Sequence, residues 1–351
     1  MIQTTMQLPH MGILAALSAA ALFGLGTPLA KLLLGEANPW LLAGLLYAGS
    51  GLGLLAFRAL RRNRLPHLRR DEIGWLIGAV TAGGLTAPVL LMWGLSVMPA
   101  SDASLLLNAE AVFTALLAWF VFRENFDRRI VAAMSLIVVG GALLAWPGQA
   151  TFGAALPALA VIGACLCWAI DNNLTRKVSL ADATFIAMIK GLAAGAVNLL
   201  LALAAGVPVP GWPTVGASAL LGFVSYGVSL VLFVIGLRHL GTARTAAYFA
   251  LAPFAGAIVS VLLLHEPVTA RLVAAGLFMG VGVWIHLTER HEHEHTHGVL
   301  AHEHEHQHDE HHLHAHATAA APGVRHTHWH QHESLTHSHA HYPDAHHQHD
   351  H

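Results

Sequence analysis

The stretch HEHEHTHGVLAHEHEHQHDEHHLHAH, His291 to His316, concentrates a single chemistry. Only five histidines (His10, His67, His239, His265 and His286) precede residue 291, so 23 of the 28 in the chain fall within residues 291–351. Neutral imidazole ligates borderline transition metals, here zinc, nickel, cobalt or copper, and the affinity order alone does not choose among them. In an extended chain the alternation His-Glu-His-Glu-His sets imidazoles on one side. Overlapping sets of two to four ligands then become available: His291, His293, His295 and His297, next His302, His304, His306 and His308, and last His311, His312, His314 and His316. Binding of this kind is multiple, and it weakens as histidines of pKa near about 6.5 take up protons. A proton buffer or pH sensor would use the same ionisation. With few apolar anchors, residues 291–351 are expected to stay disordered until something binds. The varied ending SHAHYPDAHHQHDH does not read as an expression tag. No resident cofactor is implied beyond these ions.

The second group of candidates lies in very different surroundings. Ten apolar runs precede the tail, at residues 12–34, 38–58, 74–95, 99–122, 130–146, 153–175, 183–206, 214–236, 243–264 and 272–288. A bilayer core roughly 30 Å thick needs about 20 apolar residues per helix. These runs are apolar all round rather than striped, which excludes a large soluble helical protein. The expected fold is an all-α integral membrane protein with the lipid bilayer as its partner. An ionisable group inside such a run is costly unless it faces a cavity or a partner, so each one is a functional suspect.

Glu110 stands midway along LLLNAEAVFTALLAW, with Asn108 just before it and Asp102 two turns back on a similar face. A carboxyl group withdrawn from water can take and release a proton or hold a cation. It can equally be a structural group satisfied by a neighbouring helix. Asp171 opens DNNLTRK in the sixth run and Lys190 sits in IAMIKGLAAG of the seventh, placed so that one ion pair offsets part of both desolvation costs. Lys31 closes the first run. Trp168 and Tyr248 can line a pocket, although aromatics in spans more often pack or anchor at the interface. Cys165 and Cys167 lie two apart, on different sides of a helix, and read as packing residues. Glycine runs such as YAGSGLGLL let helices approach closely. No phosphate-binding loop, nucleophile elbow or H-E-x-x-H occurs, so neither ATP-driven nor hydrolytic chemistry is supported. Nothing points to nucleic acid.

Lys and Arg in short loops mark the cytoplasmic side. Arg58, Arg61, Arg62, Arg64, Arg69 and Arg70 crowd the loop after the second run, and the same side collects Arg123, Arg128, Arg129, Arg176, Lys177, Arg238, Arg244 and Arg290. Ten crossings of the cell (inner) membrane with both termini cytoplasmic follow. The opening MIQTTMQLPH lacks a basic flank and cleavage site, so the first run is expected to stay as a span.

Sliding the chain by 142 residues lays WGLSVMPASDASLLLNAEAVFTALLAWFVFREN over IGLRHLGTARTAAYFALAPFAGAIVSVLLLHEP. Gly94 falls on Gly236, Glu124 on Glu266, Arg129 on Arg271 and Gly140 on Gly282. With a slightly different offset FGLGTPLAK lies over WAIDNNLTR. Each unit, 12–146 and 153–288, holds five runs, so the second copy sits upside down relative to the first. Inverted repeats of this kind place a site near the midplane and allow alternating access.

On these residues the membrane part, about 12–288, resembles the EamA-type permeases of the drug/metabolite transporter superfamily. The resemblance rests on the glycine-then-lysine pattern of the first run, Arg123-Glu124 and His265-Glu266 at the ends of the fourth and ninth, and Ala252-Pro253. The family's fourth span usually carries a proline too, and Ala111 stands in that place here. The resemblance implies a secondary transporter rather than an enzyme, and Lys31 gains weight as a cavity residue from its place in the pattern. The expectation is an exporter of a small molecule or a metal ion, with a cytosolic tail that binds metal. The alternative is a membrane-tethered metal buffer or sensor. Oligomeric state stays open.

Overall fold

The structure is a computed structural model that describes residues 8–61, 70–122, 128–146, 152–176, 182–240, 245, 248–288, 292–297, 300–306, 326–332 and 335–340. Two compact units result, Met1–Glu289 and Arg290–His351. In the first, every one of the ten apolar runs carries helix: α1 (Leu8–Leu33), α2 (Pro39–Arg61), α3 (Arg70–Ala79), α4 (Ala87–Val97), α5 (Ala100–Leu106), α6 (Ala109–Phe122), α7 (Arg128–Ala145), α8 (Phe152–Arg176), α9 (Ala183–Ala204), α10 (Trp212–Gly222), α11 (Ser229–Leu240), α12 (Ala252–Leu264) and α13 (Ala270–Leu287). Among the described residues, six rods are long and apolar enough to cross a membrane: Met11–Leu33, Pro39–Arg61, Glu72–Val97, Ala155–Thr175, Thr184–Ala204 and Trp212–Gly236. Shorter apolar helices accompany them at Val131–Ala145, Ala252–Leu264 and Ala270–Ile285.

The repeat in the sequence is a repeat in the backbone. The third and eighth runs are each interrupted by a π-helical stretch, Val80–Thr86 between α3 and α4 and Phe223–Val228 between α10 and α11, at matching places in the two halves. π-Helical stretches are rare and tend to mark functional positions. The fourth run breaks at Leu107–Asn108 between α5 and α6, and the ninth turns at Ala250–Leu251 just before α12. Pro253 accounts for the second break, since it has no N–H to give. At the first, where Ala111 replaces proline, Asn108 does the work: its Nδ2 donates to the Leu105 carbonyl at 3.0 Å, competing with the helical bond. The Cys165 thiol closes on the carbonyls of Leu106 and Leu107 at 3.6 and 3.9 Å.

Helix pairing is exchanged between the halves. α2 packs on α9 and α7 on α13; α1 lies against α11 and α12 of the other half, while α8 lies against α4 and α6. Each half therefore lends its first helix to the other's third and fourth runs, the exchange that a twofold relation between the halves requires. The α2–α9 contact is the tightest expression of the glycine run. A Cβ on Gly191 would fall 2.7 Å from the Gly51 nitrogen, and one on Gly51 would fall 2.4 Å from the Leu192 nitrogen. Gly191→Val is expected to lower stability by about 3 kcal/mol through overpacking, read as an earlier thermal unfolding midpoint in detergent, whereas Gly216→Val, which meets nothing within 4 Å, leaves the midpoint in place.

The tail unit departs from the expectation of disorder. Four strands, β1 (Glu292–His297), β2 (Leu300–His306), β3 (His326–His332) and β4 (Leu335–Ala340), form two antiparallel ribbons, β1 with β4 and β2 with β3. Composition forbids a buried core, but antiparallel pairing satisfies backbone N–H and C=O groups without one. The period-2 alternation that suggested ligands is also strand patterning.

Candidate functional site

Trp168, Asp171, Asn172 and Thr175 recur at the spacing of one helical stripe on α8, and this stripe organises the polar interior of the bundle. Both Asp171 oxygens accept from the Lys190 ammonium at 2.6 Å, joining α8 to α9. The Thr175 hydroxyl donates to Asp171 Oδ1 at 2.9 Å and lies 3.3 Å from Lys190 Nζ. Asp171 is 5% exposed, and these partners offset part of the cost of burying it. The pairing foreseen from the sequence is thus direct.

Gly83, in the first π-helical stretch, is what lets Asp171 come so close: a Cβ there would fall 1.9 Å from Asp171 Oδ2. Its carbonyl accepts from the Tyr47 hydroxyl at 2.9 Å and from the Trp168 indole at 3.0 Å. Asn198 donates to the neighbouring Gly84 carbonyl at 3.1 Å and accepts from the Trp40 indole at 3.2 Å. Trp168 is therefore held by a polar bond within the cluster rather than serving as packing alone. The Tyr47 ring lies 5.6 Å from Tyr226, which belongs to the second π-helical stretch, and Tyr226 lies 5.8 Å from Phe23. Phe23 continues the aromatic row to Phe249 at 5.3 Å. Both π-helical stretches thus contribute to one cluster, each from its own half.

Glu110 sits in the first turn of α6, where the positive end of the helix favours a carboxylate. Its Oε1 accepts from Asn172 Nδ2 at 2.7 Å, so a carboxyl of the first half touches an amide of the second midway along the fourth run. Asn172 is exposed and Glu110 partly so. A partly exposed carboxyl group with an amide as its partner can load and release a proton or a cation.

Lys31 and Asp102, the other cavity candidates, have partners of their own. The turn at Leu107–Asn108 separates α5 from α6, so helical spacing alone does not set Asp102 against Glu110. Asp102 instead lies 3.6 Å from Arg271, whose guanidinium also donates to the Trp146 carbonyl at 2.8 Å. Lys31 donates to the Leu95 and Met98 carbonyls at 2.6 and 2.9 Å, neutralising the C-terminal end of α4. Glu266 matches it at the start of α5, accepting from the Ala100 and Ser101 N–H groups at 2.7 and 2.8 Å. His265 beside it adopts the left-handed conformation (φ 53°) that ends α12. These four charged side chains tie the ends of α1, α4, α5 and the α12–α13 turn together. Asn108, 3% exposed, is occupied with the helix break itself.

Tyr47, Gly83, Asn172 and Thr175 were not singled out from the sequence. The α8 stripe is the signal that was available for Asn172 and Thr175, because polar residues at that spacing are unusual in an apolar run. Of the histidines named as ligands, His293, His295, His297, His302, His304 and His306 lie on β1 and β2, while His291, His308, His311, His312, His314 and His316 lie outside the described residues. Among the described residues of the helical bundle no three of His, Cys, Asp and Glu converge as a metal site.

Where α9 begins, Asp182 accepts from the Thr184 and Phe185 N–H groups at 2.9 and 3.3 Å and from Arg58 of α2 at 2.5 Å. Burial works to raise its pKa, but the Arg58 bond and the backbone N–H groups outweigh burial and hold the carboxyl below its ordinary value. A depressed folded-state pKa contributes stability that is present above the unfolded value, about 3.9, and is lost as pH falls through the folded one. Wild-type protein in detergent is accordingly expected to lose more unfolding temperature between pH 5 and pH 3 than Asp182→Asn, whose amide does not titrate.

Two matches to the EamA-like transporter family, at residues 10–146 and 155–288, cover both halves of the bundle. The chain belongs to the EamA-like transporter family. A protein of Methanothermobacter thermautotrophicus described as an uncharacterized transporter is 29% identical to this EamA-type chain over 298 aligned positions, covering 78% of this chain and 85% of its own. The uncharacterized transporter YvbV of Bacillus subtilis is 26% identical, covering 76% of this chain and 88% of its own. Among solved structures, one crystal structure matches with a TM-score of 0.60 at 20% identity, covering 78% of this chain and 94% of its own. At that identity the likeness speaks for the fold alone. This EamA-type protein is a multi-pass membrane protein of a transporter family, not of an enzyme family.

Proposed function

We propose that this protein is a secondary transporter that exports a small organic solute in exchange for protons, with Glu110 as the group that alternates between them. The carrying observation is the 2.7 Å contact between Glu110 of the first half and Asn172 of the second, because a site shared by two repeats is the one that rocking of the halves would expose alternately. The aromatic row Tyr47, Tyr226 and Phe23 beside it suits a cyclic or cationic organic solute. A transition-metal ion as cargo is less well served, since no cluster of its usual ligands converges among the described residues of the helical bundle. Ten crossings of the inner membrane, with both termini in the cytoplasm, complete this reading; a proton moving inward through Glu110 then drives solute outward. The tail binds Zn, Ni, Co or Cu in the cytoplasm and tunes transport to the metal supply.

Cells carrying the full chain, Glu110→Gln, or a deletion of residues 291–351 test this reading under a panel of stressing metals, by elemental analysis of the cells and mass spectrometry of the medium. The reading expects an organic solute that appears in the medium with the full chain and not with Glu110→Gln, and a changed metal tolerance on deletion. Lower cell metal with an unchanged organic profile would instead indicate metal efflux. A tail effect with no effect of Glu110→Gln would leave a membrane-tethered metal buffer.

A further inference from the structure

We propose that the tail is a hairpin closed by transition-metal ions bound between its strands, an inference that rests on the tail being a metal-binding segment. In both ribbons each residue faces the one equally far beyond His316 in sequence, so a single register runs through β1–β4 and β2–β3. Along that register His293 faces His339 and His295 faces His337. In the second ribbon His302 faces His330, His304 faces His328 and His306 faces His326. The rungs between them carry other residues, Glu294 with Ser338, Glu303 with Trp329 and Glu305 with Thr327. Within each ribbon the histidine rungs therefore share one face, because alternate residues of a strand do.

The register is what makes this more than histidine content. A slip of one residue would set His302 against Trp329 and His304 against Thr327, abolishing the matched rungs. Positions opposite each other in an antiparallel pair have Cβ atoms about 5 Å apart, and same-face neighbours along a strand are about 7 Å apart. Two successive histidine rungs thus place four imidazole-bearing positions around one space, the number that a tetrahedral ion with nitrogen bonds of about 2.0 Å takes. His293, His295, His337 and His339 form one such set, and the three rungs of β2–β3 supply another. Each ion then takes ligands from both strands, so loading holds residues 326–340 against 292–306, and removal of metal or protonation of the imidazoles releases them.

Zinc titration of the full chain in detergent, against a chromophoric chelator, tests the proposal with three variants: His293→Gln/His295→Gln, His337→Gln/His339→Gln, and all four together. Shared ligation predicts that either pair removes one tight zinc equivalent and that the fourfold variant removes no more than either pair. Losses that add would overturn the hairpin while leaving metal binding intact; wild-type protein that binds no zinc would overturn both. Nitroxides on Thr296→Cys and Thr336→Cys, which face each other, give a second readout in a Cys165→Ala/Cys167→Ala background. Spin–spin broadening is expected to appear with zinc and vanish with chelator. Broadening that zinc does not change, whether present or absent throughout, would contradict the proposal.

Discussion

Lys190→Met is expected to destabilise the bundle by about 3–5 kcal/mol, because it leaves the Asp171 carboxyl buried without its cation. The side chains of the pair are 17% and 7% exposed, with both carboxylate oxygens within 2.6 Å of the ammonium. Thr175 alone cannot replace that charge. Asp171→Asn/Lys190→Met removes both charges and is expected to recover more than half of the loss, since a neutral pair has no unbalanced ion to desolvate. Thermal unfolding of detergent-purified protein, followed by size-exclusion chromatography of the surviving fraction, measures all three. Equal losses in the single and double variants would mean that the pair is not what holds α8 to α9.

Glu110→Gln has the largest expected effect on transport, with little on stability. The amide keeps the shape and a hydrogen bond to Asn172 but cannot carry a proton. One pH unit is worth 1.36 kcal/mol per proton, so exchange of one proton per solute sustains a roughly tenfold solute ratio across vesicles for each unit of gradient. Glu110→Gln is expected to collapse that ratio to about one. Asn172→Leu, which removes the partner and leaves the carboxyl, is expected to retain a gradient-driven ratio with slower uptake. A variant series in which Glu110→Gln and Asn172→Leu behave alike would assign Glu110 a structural role.

The helices were legible because the bilayer sets a length and a uniformly apolar composition that chance seldom reproduces, and the repeat was legible because charged positions such as Glu124 and Glu266 align together with the apolar ones. The matched π-helical stretches bear the repeat out at a level that no residue pattern announced, since Val80–Thr86 and Phe223–Val228 share little beyond their place. The break at Leu107–Asn108 was not legible for a definite reason: periodicity assumes an unbroken helix, and the carbonyl competition that breaks this one comes from a single asparagine. The Asp171–Lys190 contact could be read because two opposite charges in neighbouring apolar runs have few other partners. Gly83 could not, because its value lies in what an absent Cβ allows Asp171 to reach. For the tail, low apolar content was taken to exclude order, while the same alternation of histidines supplied the strand period.

The central claim is that Glu110 couples the passage of a small organic solute to protons. Proteoliposomes carrying the full chain, loaded with a cytosolic small-molecule extract and given a pH gradient, measure this most directly when their released contents are compared by mass spectrometry with those of Glu110→Gln vesicles. The account predicts at least one organic solute released in a gradient-dependent manner by the wild type and retained by the variant. Identical release profiles from the two, with and without the gradient, would contradict it.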